Sequence, residues 1–404
     1  MKVLFISETY PPVIRAAGKI IRDLALEFKE HGHEVYVLTL IEEEHWKSSG
    51  IKIYEEDGIK IIKVKVKKYK GINYVQRGFI EELLPYKIIN KTKKMLKNIY
   101  FDLIITYSPP LNMYKVTKCF SSEKTLKFLF LRDIHPQTGV DLGIINNKLV
   151  YFFYRSKEKK LYKLSDHIFT QFPSNTQFIL ENNAFLSSEK VSTLYNFKKI
   201  SNLKSNENIN YLQKFNLEGN FIIIYGGNLS KAQDVEKLFQ LAENLIEFSK
   251  IKIVIMGFGK EKERLLAIKD KKNIHNVVIL DPLPIEEYES FLGQCHVGII
   301  HLNENFKTQN FPGKTLDYMY AGLPMMAKIN RGNDLGKIIS EANCGYVTTG
   351  NLVDLRDKII NLYKNENLRV ELGRNGRKFL EENLTAEKAY EEIMRVYNTR
   401  GIMV

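Results

Sequence analysis

The sequence predicts an α/β protein of two doubly wound domains joined by a short linker. Three observations predict this. The chain has 404 residues, more than one ordinary core fills. Short β-branched runs alternate with helix-period segments from the first residue to about 350. Between the halves, residues 198–209 (KKISNLKSNENI) lose apolar periodicity and read as a linker. Hydrophobic residues make up 44% and charged residues 26%, enough apolar material for packed cores and no long tract of disordered composition.

In the first half, strands are expected at 3–7, 34–40, 59–66, 103–106, 126–131, 168–170 and 191–194, with helices between most of them. The stretch IKIYEEDGIKIIKVKV alternates on both sides of Asp57-Gly58, a turn pair, and reads as a hairpin. Beyond the linker a second winding begins, with strands expected at 221–227, 251–257, 277–280, 297–300 and 324–328. From about residue 351 the pattern is helical only, and a final segment, 385–398, reads as a helix that packs back across the domain boundary. The expected domains are therefore 1–197, 210–380 and a returning helix in 381–404.

Cys119, Cys295 and Cys344 are odd in number and far apart, which indicates neither a disulfide framework nor a zinc site. The amino-terminal apolar run is too short for a signal-peptide core, and no stretch reaches bilayer-spanning length, so a cytoplasmic protein is expected. Charge is uneven: residues 1–197 hold 31 Lys and Arg against 21 Asp and Glu. The first half therefore favours an anionic partner, whether nucleic acid, an acidic membrane surface or a phosphorylated acceptor; a solvated lysine-rich surface is the plainer reading.

Ligands of doubly wound sheets bind beyond the carboxyl ends of the strands, so the loops there are where chemistry is expected. After the first strand, Ala17 and Gly18 would let an acceptor or phosphate approach the backbone; a structural glycine at a tight turn is the alternative. In the second half, YGGNLSKAQ and MGFGKEKE set Gly227 and Asn228, and then Gly257 and Gly259, directly after strands, with Lys231 and Lys260 near the following helices. The stretch TQNFPGKTLDYMYAGLP (308–324) is more informative. There Pro312 and Gly313 open a helix, Lys314 reaches an anion, and Asp317 follows one turn later, placed to accept from a ribose hydroxyl. The alternative is an ordinary Pro-initiated helix with solvent-facing Lys and Asp.

Together GGNLSKAQD, TQNFPGK, NRGNDL and LRDIHPQTGVDLG (131–143) resemble the retaining GT-B glycosyltransferases of family 4, and more narrowly the N-acetyl-L-fucosaminyltransferases of bacterial O-antigen and capsule assembly. The resemblance covers nearly the whole chain in order. It implies two facing Rossmann-like domains, the first for acceptor and the second for a nucleotide-sugar, here a UDP-sugar. The family's Glu-x7-Glu positions are Gln309 and Asp317, and its donor Arg and Lys fall at Asn228 and Gln233. Lys314 and Lys231 are therefore expected to take the pyrophosphate contact, with Asp317 on the ribose.

The resembling motif centres on Arg132 and Asp133, just past the strand 126–131, with His135 beside them as a binder of donor hydroxyls and Asp133 orienting it or assisting proton removal. A histidine before proline is also often structural. No Asp-x-Asp occurs in the chain, so metal-independent transfer without a cofactor is expected. The expected acceptor is a polyprenyl-pyrophosphate-linked saccharide at an anionic membrane face. Supporting that are the lysine-rich segment 87–97 and the run Tyr151-Phe152-Phe153-Tyr154 followed by Arg155, Lys157, Lys159 and Lys160, although four consecutive aromatics cannot share one helix face and some are expected in the core. Two other readings stand beside this one: a sugar-nucleotide epimerase or phosphorylase on the same fold, and a basic nucleic-acid binder, for which no recognisable module is present.

Overall fold

A computed structural model describes every residue except 13–15, 44–45, 47–49, 70–71, 201–208, 231–232, 306–308 and 402–404. The chain divides into two compact units, Met1–Lys199 with Thr385–Val404, and Ile200–Leu384.

The first unit runs β1 (Lys2–Ile6), α1 (Ala16–Glu30), β2 (Glu34–Glu42), β3 (Ile51–Glu56), β4 (Ile59–Val66), α2 (Tyr74–Leu96), β5 (Leu103–Ser108), α3 (Tyr114–Phe120), β6 (Leu126–Leu131), α4 (Gln137–Asp141), α5 (Lys148–Leu164), β7 (His167–Thr170), α6 (Pro173–Glu181) and β8 (Val191–Thr193). Its sheet order is β3-β4-β2-β1-β5-β6-β7-β8, parallel except for the β3–β4 hairpin. That hairpin turns at Asp57 and Gly58, both with positive φ (52° and 72°), the conformation that suits the right-handed twist of the flanking strands. Alternate residues of the inner strands feed opposite faces. Val3 and Phe5 pack with α1, while Leu4 and Ile6 pack with α2 and α3.

The second unit runs α7 (Tyr211–Lys214), β9 (Phe221–Gly226), α8 (Lys237–Glu243), β10 (Ile251–Met256), α9 (Lys262–Lys271), β11 (Val277–Leu280), α10 (Ile285–Leu292), β12 (Val297–His301), α11 (Lys314–Tyr320), β13 (Met325–Lys328), α12 (Leu335–Glu341), β14 (Gly345–Thr348), α13 (Arg356–Lys364) and α14 (Glu366–Asn383). Its all-parallel order is β11-β10-β9-β12-β13-β14. The last helix, α15 (Ala386–Gly401), belongs to the first unit. It buries Ala386, Ala389, Ile393 and Val396, one stripe at helical spacing, in the core that α1 shares. Tyr390 stacks on His31 at 4.0 Å and shares a 2.8 Å hydrogen bond with His33.

Two expectations need correcting. β14 is a sixth strand of the second sheet where none was expected, because GYVT is short and only half-buried at the sheet edge and so carries a weak apolar pattern. The second unit extends to Leu384 rather than 380, because α14 continues through Asn383 with Leu380 buried. Of the four aromatics at 151–154, Tyr154 is half-buried and packs against the core, Tyr151 is half-buried, and Phe152 and Phe153 are exposed. α5 buries its later turns instead, through Lys157, Glu158, Leu161 and Tyr162.

Candidate functional site

In the second unit the chain winds outward from β9 to β11, then returns to β12 on the other side of β9, so the sheet reverses direction between β9 and β12. Such a switch point leaves a crevice at the carboxyl ends of the two strands. The loops that follow β9 and β10 are drawn together over this edge. Gly227 N donates to Met256 O at 3.0 Å, and Leu229 N to Phe258 O at 2.8 Å. A Cβ on Gly257 would sit 1.8 Å from Gly227 O, and one on Gly259 would sit 2.1 Å from Leu229 O. These two glycines therefore serve loop-to-loop contact first, and Gly227 and Asn228 are left exposed at the rim.

Lys314 reaches into this edge from the start of α11 and is buried. Its ammonium donates to Gln233 Oε1 at 3.0 Å and lies 3.5 Å from the centre of the Tyr225 ring, and a Cβ on Gly227 would meet its Cε at 3.3 Å. The solvent-facing alternative for this lysine is thereby removed. Burial pushes its pKa well below the ordinary 10.5, since both partners are neutral. The Tyr225 hydroxyl in turn donates to Asn228 O at 2.9 Å, and His301 Nδ1 bonds Gln233 O at 2.9 Å. The amides of Thr315, Leu316 and Asp317 already donate to the Pro312 and Gly313 carbonyls, so they are not open to an anion.

Beneath the crevice, Tyr318 spans the switch. Its hydroxyl donates to Ile224 O and accepts from Gly226 N, both at 3.0 Å, and its ring fits only because residue 298 is glycine. Burial above all raises the Tyr288 and Tyr318 phenolic pKa values, and the half-buried Asp317 beside them adds to the rise. Pro312 and Gly313 lead directly into α11, with Pro312 buried. Lys231 lies outside the described residues. Gln233, Tyr225, His301 and Tyr318 were not singled out as binding residues; the one sequence signal was Gln233, which stands where the resembling family has lysine.

In the first unit the reversal lies between β1 and β5. Arg132, Asp133 and His135 follow β6 at the same edge. Arg132 is 2% exposed, and its guanidinium donates to Leu194 O at 2.7 Å and lies 5.0 Å from the Phe130 ring. Burial lowers its pKa to about 10, opposed by the nearby Tyr107. Arg132 thus braces the ends of β6 and β8, while Asp133 is the more exposed of the pair. His135 is held neutral, its pKa pushed down to about 4 by burial and then by Arg77. A group that sequence reasoning missed sits there too: Tyr69 donates to Glu8 after β1, and Arg77 pairs with Glu81 at 2.7 Å. Beside α1, the space at Gly18 is filled by the chain itself, with Tyr10 Cα 3.2 Å from an added Cβ, and Ala17 packs against the core.

Residues 208–379 match the family model of the glycosyl transferases group 1, which spans nearly the whole of the second unit. By that match the second unit resembles a group 1 glycosyltransferase domain. Over the chain, the uncharacterized glycosyltransferase MJ1069 of Methanocaldococcus jannaschii is 22% identical, covering 86% of this chain and 88% of that protein. The sucrose-phosphate synthase (tll1590) from Thermosynechococcus elongatus superposes with a TM-score of 0.74 at 13% identity, covering 100% of each chain. Anabaena Alr3699/HepE, in its complex with UDP-glucose, superposes with a TM-score of 0.69 at 13% identity, covering 99% of this chain and 100% of that one. The fold is GT-B, and the family match supports glycosyl transfer as the activity. The family match does not favour the epimerase and phosphorylase readings.

Proposed function

We propose that the protein moves a sugar of the N-acetyl-fucosamine type from a UDP-sugar to a lipid-pyrophosphate-linked saccharide acceptor, as in O-antigen or capsule assembly, with retention and without a metal ion. The observation that carries the donor half is the buried Lys314 ammonium at the β9–β12 crevice, whose partners among the described residues are the neutral Gln233 and Tyr225. A diphosphate supplies the counter-charge that this cation lacks, and such a fixed cation stabilises the nucleotide diphosphate as it leaves. Gln233 suits that role: a lysine in its place would set two ammonium groups about 3 Å apart and repel, whereas the amide oxygen accepts. HepE binds UDP-glucose on the same fold, which is consistent with a uridine donor.

In this reading Gly227, Asn228, Gly257, Gly259, Pro312, Gly313 and Lys231 line the donor diphosphate, and Asp317 accepts from the ribose. Within the first unit, Asp133 and His135 are assigned the catalytic role, Arg132 holds their loop, and Ala17 and Gly18 shape the acceptor side. The acceptor and sugar assignments rest on the motif resemblance. Incubation of a panel of nucleotide-sugars with a lipid-pyrophosphate saccharide, followed by mass spectrometry of products, tests them. Calorimetry showing tight GDP binding and no UDP binding would reverse the donor assignment.

A further inference from the structure

α2 and α5 lie side by side in the first unit and run the same way. A Cβ on Gly78 would touch the Tyr154 hydroxyl at 2.7 Å, and one turn on Glu82 pairs with Lys157, whose ammonium lies 4.1 Å from the Phe153 ring. At about 100° per residue, Phe79, Leu83 and Tyr86 fall on one stripe of α2, which then continues through Asn90, Lys93 and Lys94. Leu149, Phe152 and Phe153 fall on one stripe of α5, which continues through Ser156, Lys159, Lys160 and Lys163. All of these side chains are exposed, Phe79 to 69%, Phe152 to 63% and Leu149 to 79%.

Two parallel helices thus carry the same outward pattern: apolar over the first turns, basic over the last. Carboxylates do not interrupt it. The three on these helices, Glu81, Glu82 and Glu158, are paired with Arg77, Lys157 and Arg155. Lys157 is accordingly a buried structural cation and not a docking one. Because α2 follows β4 and α5 leads into β7, the apolar ends lie at the carboxyl edge of the sheet, where Asp133 and His135 stand. Contiguous exposed apolar surface with this charge around it marks an interaction site.

We propose that this α2–α5 ridge is the membrane-docking face. Phe79, Leu83, Tyr86, Leu149, Phe152 and Phe153 enter the headgroup boundary of an anionic leaflet, and the lysines farther along each helix engage its lipid phosphates. The occupant is assigned as lipid by charge: the ridge is flanked by Lys93, Lys94, Lys159 and Lys160, exposed and without an ion-pair partner among the described residues, and aromatic and leucine side chains beside basic groups suit an anionic interface. This rests on the proposed lipid-linked acceptor, and it joins the α5 aromatics to the exposed apolar stripe of α2 in one ridge. It also sets the membrane beside the edge where that acceptor's sugar must arrive.

The test uses the full chain with vesicles of phosphatidylcholine containing 30 mol% phosphatidylglycerol, about 150 mM salt, and a Trp46→Phe background that makes an introduced tryptophan the sole one. Phe152→Trp should blue-shift on binding and be quenched by lipids brominated in their upper acyl chain. Substituting Phe79, Leu83, Phe152 and Phe153 together by serine should lower vesicle partitioning at least about ten-fold, and UDP affinity should not change. No quenching, or undiminished partitioning of the serine variant, overturns the ridge. So does a wild-type dimer, in sedimentation, that the serine substitutions dissociate while neither form binds vesicles. Transfer to a water-soluble acceptor analogue is read in parallel: its loss in the parent protein counts against the proposed reaction, whereas retained transfer with absent vesicle binding counts against docking only.

Discussion

The Lys314 ammonium donates to Gln233 Oε1 at 3.0 Å while lying 3.5 Å from the centre of the Tyr225 ring, with no carboxylate paired to it among the described residues. A buried cation of this kind costs folding free energy and is useful only where an anion arrives. Lys314→Ala should lower kcat/KM ten-fold to a thousand-fold, about 1.4 to 4 kcal/mol of transition-state stabilisation, and leave the melting temperature equal or higher. Steady-state kinetics with a melting curve checks both halves. Unchanged kinetics in a folded variant would sink the assignment.

Nucleotide binding should be linked to protons. Burial depresses the Lys314 pKa, so the free protein binds fewer protons at this site than an exposed lysine would, while a bound diphosphate restores the charged form. UDP binding is therefore expected to take up protons, and its affinity to fall as pH rises from the lowered pKa toward 10.5. Calorimetry in buffers of different ionisation enthalpy measures the uptake. Zero uptake across that window would count against Lys314 as the diphosphate contact.

Gly257→Ala should destabilise the second unit by about 1 to 3 kcal/mol and weaken UDP binding, because the new methyl lands 1.8 Å from Gly227 O and forces the two rim loops apart. Urea unfolding followed by calorimetry reads both effects. A variant of parental stability would mean the loops separate without cost.

Stability should fall on mild acidification. His135, His167 and His301 have pKa values lowered to about 4 by burial, against 6.5 when exposed. Below pH 6.5 the unfolded chain takes up protons that the folded one refuses, so stability drops with pH from 6.5 to about 4, on the order of 2 kcal/mol per fully buried histidine by pH 5. Replacing His167, which bonds Ser192 at 2.8 Å, by Gln should flatten its share of the slope. Unfolding midpoints that do not move between pH 6.5 and 5 would contradict this.

Activity should persist in excess chelator, since positive protein groups are proposed to do what an ion does elsewhere. Complete loss with EDTA that magnesium reverses would overturn the metal-independent mechanism.

Most of the architecture was legible along the chain, because strands buried on both faces read as unbroken apolar runs such as FIIIYG and the hairpin carries its Asp-Gly turn. β14 escaped for the opposite reason, being half-buried and four residues long. Gly227 and Gly257 stood out by their position just after strands, and Pro312 and Lys314 by opening a helix; both are local properties. What Lys314 touches is not local. Gln233 lies 81 residues away and Tyr225 farther still, and only the winding of β9 beside β12 decides between the anion-reaching and solvent-facing readings of this lysine by making it a buried cation. The aromatics at 151–154 show the same limit from the other side. Their helical period is plain in the sequence, but the partner of each helix face is set by tertiary packing, which buried the later turns of α5 and left Phe152 and Phe153 exposed.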